Sequence, residues 1–197
     1  MSWLDEFTGS PLHQIVNEIK SRNSLPALAP RMESDPALSE RIRSLSPSEI
    51  LGKPVAPSDF ADSVKSALLL WNDALDESHT LSQGIGNTTG SYWHGIMHRR
   101  EPDYSNSKYW FRKVGDHECF GAVREAAIRI FTEASSTWAN ETAEQLEASS
   151  AWDAFDFVDW CEGVDATGRV PEDARNALES LQAAEMEILL EYSAAKA

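Results

Sequence analysis

A chain of 197 residues holds one domain, or one domain with an appendage, and its 42% hydrophobic content with seven tryptophans excludes a disordered chain. The formal charge of −15 repels phosphate backbones and argues against general nucleic-acid binding. Two isolated cysteines, Cys119 and Cys161, with no CxxC spacing, no leader-like start and no apolar run approaching the ~20 residues of a membrane span, point to a reduced, cytoplasmic protein away from the membrane.

Seven of the nine prolines fall in the first 57 residues, which excludes one regular element there. Short helices are expected over 11–22 and 36–45, within a Pro-rich N-terminal arm (1–57) lying over a helical bundle domain (58–197). From Ser58 the pattern changes. Phe60, Val64, Ala67, Leu68, Trp71 and Leu75 recur at three- and four-residue steps, which predicts a long helix from a Ser58 cap to about Gln83. The glycines of "GIGNTTG" end it, with Thr88 or Thr89 as the next cap.

A helix over about 90–101 stops near Pro102. A second follows Asp103 and ends at Gly115, a residue suited to a helix C-terminus. Val123, Ala126, Ala127, Ile130 and Phe131 mark a core helix. Residues 138–163 carry one or two more, and "PEDARNALESLQ" opens the closing helix with Pro at its first position. No segment alternates as a strand does. The expected fold is all-α, a single-domain bundle of about six main helices.

The functional signal lies in "SYWHGIMHRREPDYSNSKYWFRKVGDH" (91–117). Three of the five histidines gather there, and residues 90–117 carry a net +2 within an acidic chain. On a helix, His94, His98 and Glu101 fall within about 60° of one another. An HxxxH pair points two imidazoles the same way, and a carboxylate one turn on can join them. Gly95 stands where a zincin would place its glutamate. In the preceding helix, Asp76 and His79 lie on a polar stripe able to face this one. The candidate metal set is therefore His79, His94, His98, Glu101 and Asp76, a composition suited to a divalent transition metal such as Zn, Fe, Mn or Ni. His94, His98 and Glu101 are equally the candidate catalytic groups for acid–base chemistry without metal.

Arg99 and Arg100, with Asp103, Asn106, Tyr109 and Trp110, are the candidate ligand-binding residues for a small anionic or polar molecule, since a guanidinium holds carboxylate or phosphate in two-point fashion. Lys108, Arg112 and Lys113 add to the basic island. The glycines at 84, 86 and 90 lack the Lys-Ser/Thr of a phosphate-binding loop. Two other readings stand beside the site: a non-catalytic ligand- or protein-binding module, and an interlocking polar core with no further function.

The block from "LDESHTLSQ" through "HGIMHRREPDYSNSKYW" resembles an uncharacterised bacterial family of all-helical proteins with fungal relatives, marked by an HGxxHRRExDxxNxxYW pattern after a helical His. The matching residues are His79, His94, Gly95, His98, Arg99, Arg100, Glu101, Asp103, Asn106, Tyr109 and Trp110. The resemblance implies a shared site without naming its chemistry. Pro102 departs from the glycine usual after the glutamate.

Overall fold

The structure, a computed structural model, describes residues 2–197. Eleven α-helices and no strand are present among them, more segments than the six main helices expected. The first three are α1 (Pro11–Lys20), α2 (Pro36–Ser44) and α3 (Pro47–Leu51). Each begins with a proline behind a side-chain cap, Ser10, Asp35 or Ser46. The missing N–H of proline costs nothing at that position. These prolines therefore start helices rather than merely interrupting them. Leu12, Ile15, Val16, Ile42 and Ile50 are fully buried and share one hydrophobic cluster with the later helices.

Residues 58–83 form two helices, α4 (Asp59–Trp71) and α5 (Leu75–Ser82), where the apolar stripe predicts one. The chain turns at Asp73, whose φ is 65°. Asp and Asn visit this left-handed region more readily than other side chains. The Asn72 amide fixes the turn by donating to the Asp35 carbonyl and to Ser39 Oγ, each at 2.7 Å. Because Leu75 resumes the stripe, periodicity alone does not reveal the break.

Next come α6 (Thr88–Arg100) and α7 (Tyr104–Val114). Asn87, not Thr88 or Thr89, caps α6, its Oδ1 accepting from the Gly90 N–H at 2.8 Å. Asp103 caps α7, and Gly115 ends it with φ 64°. Then follow α8 (Phe120–Glu133), α9 (Thr137–Ala148), α10 (Ala154–Glu162) and the long α11 (Arg175–Lys196). A π-turn over Gly163–Thr167 and a 3-10 turn over Glu172–Ala174 join the last two. Helix α11 packs on α4 and α8, while α6 is flanked by α4, α5 and α7.

Helix α6 is buried at every residue from Thr89 to Arg100. A helix with polar groups enclosed on all sides needs a partner for each charge. Arg99 pairs with Glu185 of α11, which also accepts from Tyr92 Oη at 2.9 Å, and its guanidinium lies 3.9 Å from the Phe157 ring centre. Arg100 reaches the α4–α5 break, where the Leu70 carbonyl and the Asp73 carboxylate accept from it. It also donates to the Ala27 carbonyl at 3.2 Å, tying the N-terminal region to the bundle. No described helix is long and apolar enough to cross a membrane.

Arg100→Ala leaves the buried Asp73 carboxylate without its cation and is expected to cost about 3–5 kcal/mol in urea unfolding.

Candidate metal centre

Three imidazoles converge between α5 and α6. One ring nitrogen from each of His79, His94 and His98 lies within 4.8 Å of the others. Their ring centres are 4.7 Å apart for His79–His94, 5.1 Å for His79–His98 and 4.7 Å for His94–His98. The spacing of four along α6 stacks the last pair on one face. The short Gly-containing connection after Ser82 folds α5 back against α6 and brings His79 to them. His94 and His98 are buried, and His79 is half-buried.

The proton positions follow from the hydrogen bonds. His98 Nδ1 lies 3.1 Å from Glu101 Oε2, so this nitrogen donates and Nε2 is left with its lone pair. That Nε2 faces His94 Nε2 at 2.9 Å. Two neutral imidazoles satisfy this contact by sharing one proton. The Nε2 lone pair of His98 and the converging His79 nitrogen are groups that could hold a cation. In a tetrahedral zinc site with Zn–N of about 2.0–2.1 Å, ligand nitrogens stand roughly 3.4 Å apart, a separation between the 2.9 Å of the His94–His98 contact and the 4.8 Å bound on all three nitrogens. His79 and His98 both occupy the last turn of their helices, where the carbonyl ends of the backbone dipoles favour positive charge.

The surroundings keep His94 and His98 neutral. Burial holds His94 down to about 3, with His98, His79 and Lys113 adding repulsion. Burial also lowers His98, against the opposing pull of Glu101. Metal ligation requires neutral imidazole, so both groups are poised for it across the physiological range.

Helix α7 walls the site. The Trp110 ring stacks on His94 at 3.8 Å between centres, and Lys113 Nζ sits 4.0 Å from the Trp110 ring centre. The Asn106 amide nitrogen lies 3.1 Å from His98 Nε2 and 3.4 Å from Nδ1. This proximity depends on Gly95. A Cβ there would stand 3.0 Å from the Phe111 ring, and the Gly95 carbonyl accepts from Ser107 Oγ at 2.8 Å. Without a side chain at 95, α7 lies close enough for Asn106 and Trp110 to touch the imidazoles.

The other candidates occupy different positions. Glu101 holds the outer nitrogen of His98 and is half-exposed. Asp76 is solvent-exposed and stands outside the cluster of ligand atoms. Asp103 is engaged as the α7 cap, accepting from the Asn106 N–H at 3.2 Å. Tyr109 is exposed and meets Trp110 edge-on. Arg99 and Arg100 are committed to Glu185 and Asp73.

Sequence reasoning overlooked Glu185 and Asp73 as the receptors of these arginines. The signal for Glu185 was a carboxylate set among Leu181, Met186 and Leu189 on the apolar face of α11. Cys119 and Cys161 are buried free thiols, each pushed up to about 12 by burial. Comparison with known proteins found no matching family model, curated protein or solved structure.

The depressed histidines set an acid response in metal-free protein. An imidazole with a lowered folded pKa binds fewer protons folded than unfolded. Its stabilising effect is complete above the ordinary histidine value of about 6.5 and is lost as pH falls toward the folded value. Urea unfolding is expected to show stability declining from pH 6.5 toward pH 4, with a shallower decline in His94→Gln.

Proposed function

We propose that this protein holds a divalent transition metal on His79, His94 and His98, with one coordination position left for a small polar or anionic ligand. The observation that carries this reading is the convergence of three imidazoles on one point. Three protein ligands with a free fourth position characterise catalytic zinc centres, whereas structural zinc sites use four. When bound, the metal supplies a Lewis-acid centre able to polarise a ligand oxygen.

The chain's own residues then have distinct tasks. Glu101 fixes the His98 tautomer so that Nε2 points inward, as carboxylates behind metal-bound histidines do. Trp110 covers the His94 ring and keeps water from that side. The Asn106 amide, beside His98 Nε2, is placed to hydrogen-bond the incoming molecule, and Lys113 favours a negative one. Metal-assisted or acid–base chemistry on such a molecule is the proposed activity, and the likeness to the bacterial and fungal family is part of the same proposal. For Arg99 and Arg100 a structural role is favoured over ligand binding, because both guanidinium groups are already paired in the core.

Untagged protein purified without chelator or a nickel column is expected to contain near-stoichiometric metal by mass spectrometry. His94→Ala and His98→Ala are each expected to lose it while keeping their helical circular dichroism. Glu101→Ala, at a half-exposed position, is expected to weaken metal affinity by about 10–100-fold without unfolding the protein. Wild-type protein that arrives empty and refuses added Zn, Fe, Mn and Ni would contradict the proposal.

A further inference from the structure

A second site lies away from the histidines. A cleft of about 420 Å³ opens between the end of α1, the segment that follows it, the α4–α5 break and α11. That volume suits a small organic molecule. Its floor is α11, whose small side chains Ser180, Ala183 and Ala184 leave room there. Ile19, Leu25 and Trp71 supply apolar walls. The rim is held in place from below. The Ala27 carbonyl accepts from Arg100 at 3.2 Å and from Gln182 at 3.0 Å.

Four charged residues line the cleft, and three are neutralised. Lys20 pairs with Glu187 at 2.7 Å, and Asp73 pairs with Arg100. Arg22 has no carboxylate partner among the described residues. Its Nη2 donates to the neutral Asn72 Oδ1, leaving a half-buried cation beside apolar walls in a strongly acidic chain. A guanidinium offers five N–H donors in a planar fork that matches a carboxylate.

We infer that this cleft binds a small monocarboxylate with an apolar body, its carboxylate on Arg22 and its body against Trp71, Ile19 and Leu25. The cleft shares no lining residue with the three histidines, so the inference stands independently of any metal.

The probe is phenylacetate, compared with its neutral isostere phenylacetamide, in two-dimensional amide NMR titrations of chelator-treated, full-length protein. The expected result is saturable shifts at Asn23, Ser24, Asp73 and Ala183 with phenylacetate and at least tenfold weaker binding of the amide. Arg22→Gln should abolish the difference between the two. Ala183→Leu, which fills the floor, should block both, while His94→Ala should leave phenylacetate binding unchanged. Absence of saturable binding, equal affinity for acid and amide in wild type, or acid selectivity surviving Arg22→Gln would each overturn the inference. Shifts confined to the histidines would overturn it too, by assigning the carboxylate to the other site.

Discussion

The structure depends on how a fully buried helix disposes of two adjacent positive charges. Arg99 and Arg100 project about 100° apart from the end of α6. One is received by Glu185 of α11 and the other by Asp73 at the α4–α5 break. Two pairs on two sides fix both the rotation and the axial position of the helix. The side left over carries His94 and His98 toward α5, where His79 meets them. The arginines thus aim the histidines without touching them.

The same arrangement divides the "HGIMHRRE" block into a closed half and an open half. The guanidinium groups are enclosed, with stacking and carboxylate partners supplied from distant parts of the chain. The imidazoles lie nearer the edge, bordered by half-exposed Glu101, Asn106 and Trp110. A buried ion pair seldom adds net stability over an apolar replacement, and its attested use is to fix one arrangement. That use fits here, because an unaimed α6 would scatter its imidazoles.

Much of this was legible in residue spacing. The i, i+4 histidines, the Asp103 cap, Gly115 and the core stripe of α8 follow from helical periodicity and capping chemistry. So did the approach of His79, because a short glycine-containing connection favours antiparallel neighbours. What spacing could not supply was the long-range pairing. The break at Asp73 interrupts no apolar stripe, and its purpose is visible only once Arg100 arrives from 27 residues away. Arg99 and Arg100 read equally well as ligand anchors until Glu185 and Asp73 are seen against them. Asp76 lay on the correct helix, yet its position is in solvent, because it stands about 160° around α5 from the fully buried Ser78.

The central claim is that three imidazoles share one cation. Zinc-edge X-ray absorption on zinc-loaded protein reads the inner coordination shell directly. The account predicts three imidazole nitrogens at about 2.0–2.1 Å and one further light atom, with one imidazole removed in His79→Ala. A shell with fewer than three imidazoles, or one that His79→Ala leaves unchanged, would contradict it.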